Sequence, residues 1–174
     1  MSAPGEIPLG EFRRIVALAR LGSETLRRRI AADEAERGAL AGRFALVSLA
    51  RLEADVALVR EAAGTILLTA AFEADFAQSC IVTLDPVEAS VSERFQLRFG
   101  PPDAEGDAPG GDDDPAFEPL AGETIDIGEA VAQEFSLALP PFPRAPDAVV
   151  EEEPPAAPAD GPFAALRRLA RGEP

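Results

Sequence analysis

The sequence predicts an α+β fold, an antiparallel sheet of about five strands with helices packed on it. Three observations carry this. Segments between residues 52 and 99 alternate apolar and polar side chains with period two, as antiparallel strands with one buried face require. Residues 34–46 and 123–139 instead repeat apolar side chains at helical spacing. Bulky apolar residues become scarce at 100–119 and beyond 144, so about 130 residues are left to build one ordinary domain.

The elements follow in order. After an N-terminal extension (1–11), residues 12–21 (FRRIVALARL) and 24–31 (ETLRRRIA) read as short strands joined near Gly22-Ser23. Asp33 with Glu36 makes a capping box, and Leu40, Phe44 and Val47 recur at i, i+4, i+7. Leu52, Ala54, Val56 and Leu58 then oppose Glu53 and Asp55. After the turn at 61–64, Ile66 to Phe76 alternate with Thr65, Thr69, Glu73 and Asp75. Phe95, Leu97 and Phe99 oppose Arg94, Gln96 and Arg98. Residues 100–119 hold five Pro, four Gly and seven acids, a composition that predicts a mobile acidic loop. Asp126 and Glu129 are placed to cap a helix whose Ile127, Val131 and Phe135 share a face, and Pro140-Pro141 stop it. This closes a domain over 12–143. The remainder, 144–174, is a Pro/Glu-rich tail predicted to be disordered, ending in the amphipathic motif 163–171.

Composition removes most enzyme chemistry. The 174 residues contain 16 basic and 31 acidic side chains, a net charge of −15. Every basic residue is Arg; His, Lys, Trp and Tyr are absent, and Cys80 is the single cysteine. No imidazole base, histidine metal ligand, P-loop lysine or Schiff base is available, nor a disulfide within the chain. The expectation is a protein that binds rather than catalyses and uses no cofactor. No apolar run reaches the roughly 18–20 residues of a membrane span, and the start lacks a secretory pattern, so a cytoplasmic protein without membrane contact is expected. The charge is also unevenly spread: residues 1–60 are net +2, whereas 101–143 carry eleven acids and no base. Such segregation permits an arginine patch beside an acidic loop.

At 78–87 (QSCIVTLDPV) the chain carries a motif made of Gln78, Cys80, Thr83, Leu84, Pro86 and Val87. With ERGALAGRF (36–44), ETIDIGEAVAQEFSLALPPFPR (123–144, including Asp126, Glu129, Leu139 and Pro140) and the closing GPFAALRRL, it resembles the bacterial YceD family. That family is named for accumulation of the large-subunit ribosomal RNA. The resemblance implies a part in synthesis, processing or stability of 23S rRNA, with 23S rRNA or early 50S assembly intermediates as partners. Many members carry Cys-x-x-Cys where this chain has Cys80 and Thr83, so a paired-cysteine metal or redox role has no support here.

The candidate residues each admit a plainer reading. Arg13, Arg14, Arg27, Arg28 and Arg29 are candidate contacts to RNA phosphates; if the first two strands pair, Arg13 or Arg14 joins one face of the patch. Alternatively they pair with Glu11, Glu24 and Asp33 on a solvated face. Without Tyr or Trp, base stacking is not expected, and no DNA partner is expected. Cys80 reads as a small buried hydrophobe. The acidic block (with Asp112–Asp114) serves solubility or faces a basic ribosomal protein, and Asp126 and Glu129 read as helix caps. In the terminal motif, Phe163, Leu166 and Leu169 oppose Arg167 and Arg168. This segment docks on a partner or RNA, the favoured reading, or folds back on its own domain.

Overall fold

A computed structural model describes residues 11–61, 64–101, 114–120 and 122–149. The centre of the expected acidic loop, the tail beyond 149 and the motif at 163–171 lie outside the described residues. In chain order the elements are β1 (Ile15–Ala17), a single 3-10 turn (Leu18–Arg20), β2 (Leu26–Ala31), α1 (Glu34–Arg43), β3 (Ser48–Arg60), β4 (Ile66–Ser79), β5 (Pro86–Gly100), β6 (Ala116–Pro119), β7 (Thr124–Asp126) and α2 (Ile127–Ala138). A five-stranded sheet of order β2-β3-β4-β5-β6 carries the domain, and β1 pairs with β7 in a separate two-stranded ribbon. The α+β expectation holds.

The period-two pattern sets the layers. Along β3 and β4, Leu52, Ala54, Val56 and Leu58 and the even-numbered residues from Ile66 to Phe76 are buried on one face. Helix α2 covers that face with Ile127, Val131 and Phe135. The Phe135 ring meets Phe44, Phe72 and Phe76 edge-on, with centroids 5.5–6.3 Å apart, which is the favoured aromatic geometry. Helix α1 lies along β3 and buries Leu40. Its capping box forms as the spacing requires: Glu36 N–H donates to Asp33, and Asp33 N–H donates to Glu36.

Three expectations change. The first two strands do not pair with each other: β1 lies antiparallel to β7 (Val16 opposite Ile125), whereas β2 pairs with β3. The reason is that Asp126 captures the chain at Arg14 N–H (2.8 Å), and Arg60 of β3 holds the following turn at Leu18 O (3.0 Å). The strand expected at 95–99 begins at Pro86 and pairs with β4 along its whole length. The expected loop at 100–119 is narrower, because Gly100 closes β5 and Ala116–Pro119 returns as β6, parallel to β5. Gly100 permits this return, since a Cβ there would lie 3.0 Å from the Phe117 ring.

Helix α2 starts against the backbone of residues 12–14. A Cβ on Gly128 would sit 2.0 Å from Phe12 O, so only glycine lets the helix approach this closely. Gly128→Ala is therefore expected to cost about 2–4 kcal/mol in chemical denaturation. Gly38→Ala, inside α1 with open space around it, is expected to gain about 0.5–1 kcal/mol. Equal midpoints for the two variants would contradict the packing described here.

Candidate functional site

The sheet face opposite α2 is open. Register places Arg27, Ala57, Thr69 and Gln96 in one row across β2–β5, and Arg29, Asp55, Ala71 and Arg94 in the next. The middle strands contribute small side chains and the outer strands contribute arginines. The result is a shallow trough of about 400 Å³ lined by Arg27, Arg29, Asp55, Thr69 and Arg94. Arg27 and Arg94 are exposed and make no ion pair among the described residues. Arg29 reaches Glu53 (3.0 Å), leaving much of its guanidinium in solvent. Arg28 points to the opposite face of β2, where the edge position leaves it exposed.

Further along the same face acids outnumber arginines. Arg51 donates to Asp75, Glu73 and Glu53 at 2.7–2.8 Å. These bonds hold the Arg51 guanidinium charged and lower the Asp75 carboxyl below its ordinary range.

Arg13 and Arg14 do not join the Arg27–Arg29 face, because β1 stands outside the main sheet. Arg13 pairs with Asp126 (3.4 Å). Arg14 is committed to structure: both terminal nitrogens donate to Glu36 (2.6 and 2.8 Å), one also donates to Ala31 O, and its guanidinium lies 4.6 Å over the Phe12 ring. Arg14 in turn lowers the Glu36 carboxyl. Asp126 caps α2 as expected, accepting from Gly128 and Glu129 N–H. Glu129 does not cap; it forms a bidentate pair with Arg43 (2.7 and 2.9 Å). Arg94 was missed by sequence reasoning. Its alternation with Phe95 was visible, but only the strand order places it across from Arg27 and Arg29.

The motif residues gather at one end of the molecule, where β4 turns into β5 beside the chain leaving α2. Gln78 donates to Pro140 O (3.2 Å), Val87 stands opposite Gln78, and Pro86 opens β5. Leu139 packs on the core edge. Leu84 has a left-handed backbone (φ 66°) and an exposed side chain. Cys80 is fully covered yet lies outside the main apolar cluster. Its Sγ accepts from Ala145, Thr83 and Val82 N–H, each at 3.4 Å. The Ala145 N–H first, then the Thr83 hydroxyl, then the Thr83 and Val82 N–H groups bring the thiol down to about 6. Backbone N–H groups thus supply what a neighbouring Lys or His would otherwise provide. Asp126 and Glu129 lie at the other end of α2 and take no part in this junction. Among the described residues no group of three or more acidic or Cys side chains is arranged to hold a metal ion, and no helix is long and apolar enough to cross a membrane.

A family model described as large ribosomal RNA subunit accumulation protein YceD matches residues 68–169, more than half of the chain. The Cys80 turn and Arg94 fall inside the match, and Arg27–Arg29 precede it. No curated protein and no solved structure matches significantly.

With no Tyr or Trp in the chain, the thiolate absorbance of Cys80 can be titrated against Cys80→Ser without interference. The expected midpoint is near pH 6; a midpoint above about 8 would mean that the three N–H groups do not stabilise the anion. The folded value lies below the unfolded one. The stabilisation is therefore fully present above the unfolded pKa of about 8.5 and is lost as pH falls through the folded one.

Proposed function

The chain belongs to the large ribosomal RNA subunit accumulation protein YceD family, and from that premise we propose that it supports 23S rRNA synthesis, processing or accumulation by binding rather than catalysis. It acts in the cytoplasm on 23S rRNA or early 50S intermediates. The observation that carries this reading is the trough between Arg27, Arg29 and Arg94. Guanidinium forks match phosphate oxygens bidentately, and arginines without an internal carboxylate surrender little when they take one. The small Ala57, Thr69 and Ala71 let a sugar–phosphate backbone approach the sheet closely, with Asp55 the one carboxylate of the floor. The Phe rings of β4 and β5 lie in or against the core and none lines the trough, so this surface suits backbone contact without base stacking.

A second reading, an adaptor for a basic ribosomal protein without RNA contact, has its own support. Glu118 on β6 and Glu134 on α2 have no cation among the described residues. Burial pushes both carboxyls up, with Glu129 adding to the effect on Glu118 and Glu118 to that on Glu134. A basic partner would relieve that cost.

Binding of purified 23S rRNA fragments against salt separates the two. Arg27→Glu, Arg29→Glu and Arg94→Glu are each expected to weaken binding and to lower the log–log salt slope by roughly 0.7–0.9. Arg20→Glu, an equal charge change away from the trough, is expected to do less. If all four behave alike, or only neutralising Asp112–Asp114 abolishes co-sedimentation with 50S precursors, the adaptor reading stands instead.

A further inference from the structure

Large apolar side chains are exposed together where β4, β5 and the exit of α2 meet. Ile81 and Leu84 sit in the β4–β5 turn, and Leu84 is 75% and Phe142 76% accessible. Ile81 N–H donates to Pro143 O (2.9 Å), which brings the turn against the segment carrying Phe142. Val47, half exposed, is tied to the same end through its N–H bond to Ala77 O (2.8 Å). Single exposed apolar residues need no explanation, but a group of them on one rim does.

Leu84 is the sharpest of them. Its φ of 66° places an L residue where Cβ crowds the backbone, a position glycine takes freely. A leucine kept in a strained conformation with its side chain in solvent gains nothing from its own fold, and such outliers mark contacts made with something else. Beneath this junction, Gln78 Oε1 is a buried acceptor without a donor among the described residues.

We infer that this rim is the seat of the chain's own terminal segment, residues 163–171, with Phe163, Leu166 and Leu169 placed on Leu84, Ile81 and Phe142. Three arguments select this occupant. The chain leaves the domain at the rim itself, since Ala145 N–H bonds Cys80 Sγ at 3.4 Å. Thirteen residues, 150–162, separate the described chain from this segment, and a linker of that length has a root-mean-square reach of roughly 20 Å, enough to return. Charge also agrees: Arg167, Arg168 and Arg171 oppose the apolar stripe of the segment, and the rim carries the exposed acids Asp85, Glu88 and Asp147. So short a tether gives an effective concentration of about a millimolar, so even an intrinsic dissociation constant near 0.1 mM keeps the segment about nine-tenths seated. The seat lies away from the arginine trough and stands whether or not the trough binds RNA.

The test is limited trypsin digestion of the full chain, with cleavage after Arg167, Arg168 and Arg171 followed by mass spectrometry. In the native chain these sites are expected to be cut about tenfold more slowly than in the Phe163→Asp, Leu166→Asp double variant. Leu84→Gly removes the side chain and relieves the backbone, so folding is retained while protection is lost; Phe142→Asp is expected to do the same. Equal cleavage in the native chain and the tail variant overturns the inference. So does protection that survives both rim substitutions, which would put the seat elsewhere, or protection that falls on dilution, which would make the occupant a second copy.

Discussion

Two carboxylates and one guanidinium hold the arrangement on which the other elements depend. Asp126 accepts from the N–H groups of Arg14, Gly128 and Glu129, so one side chain fixes the start of α2 and the entry of β1 together. Arg14 carries the connection onward to Glu36, which at the same time closes the capping box of α1, and to Ala31 O at the end of β2. Both helix starts and two strand ends are thereby joined through charge-assisted bonds, those of Asp126 and the Arg14–Glu36 pair partly buried. Removing one member strands the others, so the group behaves as a unit. A consequence reaches the open face. β2 is an edge strand, and the bond from Arg14 to Ala31 O anchors its end, so Arg27 and Arg29 are presented from a fixed backbone.

The two faces of the sheet divide the work by side-chain size. On the inner face the Phe rings converge on Phe135, and the helices exclude water. On the outer face, at the trough, β3 and β4 carry Asp55, Ala57, Thr69 and Ala71, and arginines flank them from β2 and β5. Arg51 gathers Glu53, Glu73 and Asp75 into one cluster on the next stretch of that face, which stays net acidic. It separates the cationic trough from the apolar rim at the far end of β4. One strand thus supports both surfaces, with Thr69 and Ala71 near one end and Gln78 at the other.

Features that depend on local chemistry were legible in the sequence, and those that depend on distant pairing were not. The capping box at Asp33 and Glu36 acts within one helical turn, and the alternation of β3 and β4 states directly which side chains are buried. The pairing of β1 with β7 joins residues more than a hundred positions apart, and a three-residue strand carries no pattern that names its partner. β6 was hidden because Pro and acidic residues surround the four that pair, and a parallel neighbour leaves no turn signature. Arg94 was visible as a polar position, but its place beside Arg29 and Asp55 follows only from strand order. Cys80 was readable as buried; its anionic character was not, because its first donor is the backbone of Ala145, sixty-five residues away.

Although the chain has nearly twice as many acids as arginines, six of the thirteen described arginines, Arg13, Arg14, Arg29, Arg43, Arg51 and Arg98, hold a carboxylate. Arg14, Arg43, Arg51 and Arg98 each hold at least one carboxylate at 3.0 Å or closer, and those contacts fasten elements together. Among the described arginines without a carboxylate, Arg27 and Arg94 are distinguished by their place. They stand on strands at opposite sides of a floor that carries Asp55 beside Ala57, Thr69 and Ala71, with the partly neutralised Arg29 next to Arg27 on β2. Desolvating a guanidinium that already has a carboxylate costs an interaction, whereas an unpaired one gains its first partner on binding an anion. What sets the trough apart is therefore convergence: it brings Arg27, Arg29 and Arg94 to one concave surface, where an anion can meet several guanidinium groups at once.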